Sequence, residues 1–397
     1  MGLRPGSWPS IGLIYFFGVL GPASLGKVVP MQADFIAHLG VTPQLFGLFV
    51  SILMVPAALL GALAGWIGDR IGPARMLMAS AWIAGIVNVG YCLADSVPMF
   101  FVLRLVEGAG MVGVFTSAPA LIMATTEGAR RTRAMSLWTT YTPVGFSLGL
   151  ALVVPFVGGP HWKAAYAVHA ALFFAVAVAG LALPRPAPPA GPQCGRWASM
   201  LATYRQPGPL RLALAFGALV FMGFGVSTVF PGHFAKAQQV PLATATTVLA
   251  VCNLAMVAGS FLTGALRVRG VSPATLMLGG LALGVLAGGL IFAPGLPIGA
   301  AVVGIAAWLL CSGVSMAVLL TLLPEVLSHP SQGASAAGLL SQVSAVTTFV
   351  TAPLWLPAEA AGLWWLLCGF MLAGAVAAWR LMPGAASRPA ASRVAPG

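Results

Sequence analysis

Charge is what this sequence has least of. Of 397 residues, 7 are Asp or Glu and 19 are Lys or Arg, 7% charged in all, where an ordinary soluble domain carries about 25%. A chain so poor in charge does not make a water-facing surface, and a soluble fold is excluded. Cysteine is also scarce: Cys92, Cys194, Cys252, Cys311 and Cys368 stand without CxxC or His/Cys ligand spacing. That argues for small apolar residues and against a disulfide framework or a metal centre. No nucleotide fingerprint occurs, so ATP drive is unsupported and no cofactor is expected. The long apolar runs do not alternate, which argues against an outer-membrane β-barrel.

Hydrophobic residues make up 59% of the chain, or about 234 positions. At about 20 apolar residues per crossing of a hydrocarbon core about 30 Å thick, that fills about 12 spanning helices. Runs bounded by Gly, Pro and charge fall at 10–31, 44–65, 76–94, 99–124, 135–157, 164–183, 210–230, 244–266, 274–293, 298–323, 335–356 and 360–380. Residues 184–209, rich in Pro and Arg, form the one clear linker. Arg4 precedes an apolar run from Ile11 that has no small-residue cleavage site behind it, so the first helix is expected to stay as an uncleaved anchor.

The net charge of +12 is explained by topology. With both termini in the cytoplasm, fifteen of the sixteen arginines fall on the inner side, only Lys27, Lys163 and Lys236 fall at or near the outer side, and Arg104 lies inside a span. No nucleic-acid partner is required. The expected location is the cytoplasmic (inner) membrane, multi-pass.

Two segments carry a more specific signal. Between the second and third spans, Gly65-Trp66-Ile67-Gly68-Asp69-Arg70-Ile71-Gly72-Pro73-Ala74-Arg75 makes a tight turn with an acid and two cations able to bridge helix ends. In the fourth span stands Arg104-Leu105-Val106-Glu107-Gly108-Ala109-Gly110. The first, GxxxDRxG followed by a cation, resembles the signature loop of the major facilitator superfamily, and the second resembles that family's RxxxGxG fourth-helix motif. Thr142-Pro143-Val144-Gly145-Phe146-Ser147-Leu148-Gly149 is loosely similar to the fifth-helix motif of proton-coupled exporters, with Thr142 and Phe146 where glycines are expected. The second-half loop Gly264–Gly270 keeps glycines and cations but has no acid, and Pro73 and Ala74 replace the cations expected straight after Gly72.

The resemblance implies an all-α integral membrane protein of twelve transmembrane helices in two six-helix bundles, 1–183 and 210–381, joined by the cytoplasmic linker 184–209 and followed by a cytoplasmic tail, 382–397. It also implies alternating access about a central site. Gly65, Asp69, Arg70, Gly72 and Arg75 are the candidate gating loop, with Arg130 and Arg131 in the next inner loop as partners.

Intramembrane polar groups are few. Glu107 is the leading candidate to carry a coupling proton, with Arg104 one helical turn away on the same face able to neutralise it. Asp34 lies seven residues after Lys27, on one face only if the helix runs unbroken through Pro30. Lys27 either receives an anion or snorkels to the interface, the second being preferred. Asn88, Asn253 and Gln342 either line a cavity or join helices. His169 is read as packed at the interface near Trp162 and Tyr166.

The expected function is secondary active transport of a small organic molecule, with protons as coupling ion, by a monomer in the lipid bilayer. Export of a drug- or siderophore-like molecule is preferred over proton-coupled uptake of an organic anion. No nucleophile and base pair, no second intramembrane carboxylate and no loop able to house a signalling domain supports an enzyme or a receptor, so no catalytic residue is expected.

Overall fold

The computed structural model describes residues 2–138, 140–185, 204–327 and 333–382. Most of the expected linker and nearly all of the expected tail lie outside these ranges, as do the side chains of Gly65, Asp69 and Arg70. Every long element among the described residues is helical. Span 1 is Trp8–Gly26 and Gln32–Leu39, joined through a 3-10 turn at Val29–Met31; span 2 is Pro43–Ile52 and Val55–Ile71. Spans 3 and 4 are Pro73–Leu93 and Val97–Thr125, span 5 is Gly128–Trp138 with Tyr141–Val153, and span 6 is Ala164–Ala179. Spans 7 to 12 are Pro207–Gln238, Leu242–Asn253 with Ala255–Val268, Pro273–Phe292, Ile298–Leu322, Gly333–Ala360 and Trp364–Leu381.

Eleven of these are long and apolar enough to cross a membrane; in span 5 the apolar helix Tyr141–Val153 is shorter because the span is broken near residue 140. Span 1 runs eight residues beyond the expected end at residue 31, because Pro30 sits in the 3-10 turn, where its missing N–H costs little. Gly40, at φ 63°, stops it. Side-chain oxygens of Ser7, Thr42 and Ser272 accept from backbone N–H groups three residues on, and proline opens spans 2, 3, 7 and 9.

The helices before residue 186 pack mainly on one another, as do those after residue 203. The two groups repeat a device. Span 2 breaks at Leu53–Met54, where a Cβ on Gly108 of span 4 would meet the Leu53 carbonyl oxygen; span 8 breaks at Leu254, where a Cβ on Gly313 of span 10 would meet the Met256 carbonyl oxygen. Gly72 (φ 92°) and Gly270 (φ 86°) close the turns after those same spans. Only glycine lets the backbones approach this closely, the usual basis of helix association in lipid.

The two groups meet mainly along two seams, span 2 with span 11 and span 5 with span 8, with a smaller contact between the Val29–Met31 turn of span 1 and span 7. In the second seam the packed segments are Tyr141–Val153 and Leu242–Asn253, the parts away from the chain termini; among the described residues Gly128–Trp138 and Ala255–Val268 make at most marginal contact. Side-chain hydrogen bonds across the seams follow suit: Ser51 Oγ donates to the Thr348 carbonyl (3.1 Å), and Asn253 Nδ2 donates to the Pro143 carbonyl (2.8 Å) and Ser147 Oγ (3.1 Å). Among the described residues, contact between the halves is therefore weighted toward the end opposite the termini. Removing both Asn253 bonds by Asn253→Ala costs this arrangement about 1–3 kcal/mol, so a cysteine placed at buried Thr348 is expected to label about fivefold faster or more. An unchanged labelling rate would mean that the seam does not hold the closed end.

Candidate functional site

Three side chains of the first-half spans that carry a full charge, Lys27, Arg104 and Glu107, are brought together by folding. Each is 0% exposed. Glu107, on span 4, is the hub. Its Oε2 accepts from Arg104 Nη1 (2.9 Å) and Tyr91 OH (3.0 Å); its Oε1 accepts from Ser24 Oγ (2.8 Å) and Asn88 Nδ2 (3.2 Å) and lies 3.6 Å from Lys27 Nζ. Opposite charges 3.6 Å apart attract by roughly 5 kcal/mol at an effective dielectric of about 20. Burying each ion costs several kcal/mol, so the cluster stands only because its hydrogen bonds are nearly all made.

Arg104 shares the helix face of Glu107 at i, i+3 and spends its other donors on backbone: Nε on the Phe49 carbonyl (3.3 Å), Nη2 on the Val50 carbonyl (3.3 Å) and Nη1 also on the Ser24 carbonyl (3.0 Å). Those carbonyls belong to spans 1 and 2, so one guanidinium ties three helices. Lys27 follows the last residue of the first segment of span 1, where the helix breaks. Its Nζ donates to Asn88 Oδ1 of span 3, lies 2.8 Å from His169 Nδ1 of span 6, and sits 4.6 Å above the Tyr166 ring. An aromatic shell of Phe35, Phe49, Phe100, Trp162, Tyr91 and Tyr166 covers the cluster on the side away from the termini. Beyond it an open cavity of about 470 Å³ is lined by His38, Asp95, His161 and Lys163.

The second half has a different charge arrangement. Lys236 of span 7 pairs with Glu359 of span 11 at 3.0 Å, the carboxylate being buried and the amine exposed. Facing the termini end of the first half is an aromatic group, Trp138 stacked on Tyr141 at 4.4 Å with Phe115 at 5.6 Å, while Tyr15 OH shares a 2.8 Å hydrogen bond with Thr140 Oγ1.

A helical bundle in two repeated halves, broken at matching spans and holding a sealed ion cluster behind the Arg104–Gly110 motif, has close counterparts. The family model described as Major Facilitator Superfamily matches residues 11–349. The chain belongs to the Major Facilitator Superfamily.

Solved structures share the fold. The structure of a bacterial homologue of the human lysosomal transporter Spinster, in an inward-facing and unoccupied conformation, superposes with a TM-score of 0.81 over 96% of this chain and 98% of that one, at 16% identity. In sequence, a Cupriavidus necator protein named "Probable sulfoacetate transporter SauU" is 27% identical over 160 residues, 40% of this chain and 36% of that protein. The multi-drug resistance efflux pump PmrA of Streptococcus pneumoniae is 27% identical over 154 residues, 38% of this chain and 37% of the pump. The aligned stretches thus span only about a third of the length of these relatives.

Within the superfamily fold the candidate residues part company. Lys27, Asn88, Arg104 and Glu107 form one cluster. Lys27 does not snorkel: the break after Gly26 turns its side chain into the bundle, toward Asn88 and Glu107. Asp34 is not on its face, because the 3-10 turn resets the helix; the carboxylate instead accepts the Gly158 N–H (3.0 and 3.2 Å) in the loop before span 6. Asn253 joins the two halves, and Gln342 Oε1 accepts from Tyr204 OH (2.7 Å), tying the end of the linker to span 11. Arg130 donates to the Gly6 carbonyl (3.2 Å) and Arg131 to the Thr126 carbonyl (2.8 Å), both within the first half, and Arg75 is exposed.

Three members of the cluster, Ser24, Tyr91 and Tyr166, carry no candidate role in the sequence, and a fourth, His169, reads there as an interface residue. His169 is buried beside Lys27 and is not an interface residue; its place in an apolar span one turn after Tyr166 was the available signal. Glu359 was also missed, since span 11 runs past the expected end at residue 356.

Proposed function

We propose that this protein is a secondary active transporter that exports an amphipathic organic molecule across the cytoplasmic membrane by alternating access, exchanging it for protons, with both termini in the cytoplasm. The observation that carries the reading is the sealing of the Lys27–Arg104–Glu107 cluster. With those groups engaged by one another and by backbone and shut away from solvent, the half-buried side chains the first half offers beside its seams are aromatic and weakly polar: Tyr141, Phe115 and Tyr15, with buried Trp138 stacked behind Tyr141. Such a surface suits a flat, amphipathic molecule better than a sugar or a small anion. The packing of the seams away from the termini supports a two-state bundle, open by turns to either side.

One observation favours a second reading, uptake of an organic anion with protons. The cluster has two cations to one carboxylate, and SauU is named for an anionic substrate.

Proteoliposomes under an imposed proton gradient separate the two. The expected result is that ethidium moves against the proton flow while sulfoacetate does not accumulate. Sulfoacetate accumulating with the protons, and ethidium standing still, would replace export by anion uptake.

A further inference from the structure

The sealed cluster does not balance. Lys27 and Arg104 bring two positive charges against the one negative charge of Glu107, at 0% exposure for each. Both oxygens of Glu107 are engaged by donors, from Ser24 and Asn88 on one side and Tyr91 and Arg104 on the other. A proton added to Glu107 would turn an acceptor oxygen into a donor facing other donors, and would leave two buried cations without a counter-charge. The carboxylate is therefore a fixed counter-ion. Arg104 is fixed as well, since a guanidinium keeps its proton.

The one cation left able to change charge is Lys27. The groups facing it are Glu107 and Arg104 from span 4, Tyr91 and Cys92 from span 3, and Tyr166 and His169 from span 6; span 5 presents only the backbone at Gly149. Of these, His169 makes the contact that matters. Lys27 Nζ donates to its Nδ1 at 2.8 Å, which puts the proton of the neutral imidazole on Nε2. That Nε2 is buried and faces the Leu20 carbonyl without closing a full hydrogen bond to it. A buried N–H so weakly held is uncommon and leaves this proton the most loosely bound in the cluster.

We infer that the proton this half of the molecule exchanges sits on the Lys27–His169 pair, with Glu107 as its permanent counter-charge. Lys27 Nζ passes a proton to His169 Nδ1, leaving a neutral amine and an imidazolium; the imidazolium releases its Nε2 proton to water, leaving the Nδ1–H form. The cluster goes from +1 to neutral, and the reverse steps reload it. The aromatic shell closes the route away from the termini and Nε2 is itself buried, so release of its proton belongs to the state in which water reaches the termini side of the cluster. Lys27 lies at the break in span 1, and a Cβ on Gly149 would meet the Lys27 backbone nitrogen at 2.8 Å. Gly149 belongs to span 5, whose Ser147 and Pro143 hold Asn253 across the seam. A change of charge at Lys27 thus acts on the helix that joins the halves. That this is the coupling proton rests on the proton-driven reading above; that the pair holds the exchangeable proton does not.

Lysine occurs only at 27, 163 and 236, so protein labelled on lysine Nζ and glutamate carboxyl carbons gives few signals to follow by NMR. The Lys27 signal is assigned by its loss in Lys27→Arg, which keeps the cation. The expected result is that Lys27 Nζ loses its proton within the pH range over which the protein stays folded, while the Glu107 carboxylate remains ionised. His169→Phe is expected to slow proton exchange between Lys27 and water by tenfold or more, an effect that a purely structural role would not produce. A Lys27 signal protonated throughout, or a Glu107 carboxyl that titrates in its place, overturns the assignment. No substrate enters this titration: if Lys27 titrates yet no proton gradient moves ethidium or sulfoacetate, the site stands and the coupling reading falls.

Discussion

Glu107→Gln is expected to be the most damaging single substitution in the first half, lowering stability by about 3–5 kcal/mol, the usual cost of stripping a buried cation of its partner. The variant leaves Lys27 and Arg104 facing one another across a site with no exposed atom, a net charge of +2 where the native cluster carries +1. Lys27→Met goes the other way. It leaves the Arg104–Glu107 pair neutral, and the cost is the unpaired Asn88 Oδ1, about 1–3 kcal/mol, since the neutral imidazole of His169 is free to change tautomer. Thermal unfolding in detergent should therefore rank the wild type first, Lys27→Met second and Glu107→Gln last. The opposite order for the two variants would mean that Glu107 is not the counter-ion that holds the cluster.

Gly149→Val should have an effect of comparable size for an unrelated reason. A Cβ at this position runs into the Ala23 carbonyl oxygen and sits 2.8 Å from the Ala23 Cα and the Lys27 nitrogen. Four residues away, a Cβ on Gly145 would strike the Val19 carbonyl oxygen, and from the other side one on Gly26 would strike that of Phe146. Spans 1 and 5 thus touch backbone to backbone over two turns, with no flexible side chain to give way. Overpacking typically costs 1–3 kcal/mol and occasionally more; here it also displaces the segment that carries Lys27. The expected result is loss of folded protein from the membrane for Gly149→Val. Gly279→Ala is the control: no atom lies within 4 Å of its Cβ position, so it should be neutral or slightly stabilising. Equal behaviour of the two would remove the close approach as a determinant of the fold.

Much of this architecture is legible in the sequence. Apolar runs and their Gly and Pro punctuation located the spans to within a few residues, because lipid demands that each crossing satisfy its own backbone. The Arg104–Gly110 segment pointed to the family and to the i, i+3 pairing of Arg104 with Glu107. Other features depended on long-range geometry. Lys27 read as a snorkelling residue because a helix continued past residue 26 would carry it toward the interface; the 3-10 turn that redirects it is a tertiary compromise around Pro30. His169 and Glu107 are 62 residues apart in the chain, and only the packing of spans 4 and 6 against span 1 makes them parts of one site. The paired breaks in spans 2 and 8 were hidden for the same reason. Each depends on a glycine of another span, Gly108 or Gly313, reaching a carbonyl that the sequence does not mark.

The central claim is that the two halves rock about seams that are closed here at the end opposite the termini. Distances between spin labels measure this directly, with one pair at exposed Gln44 and Ala361 on that end and another at exposed Arg75 and Arg269 on the termini end. The account predicts two populations for each pair, changing in opposite senses when the proton concentration is raised: as one end widens, the other narrows. A single invariant distance at both ends, or two ends that widen together, would contradict it.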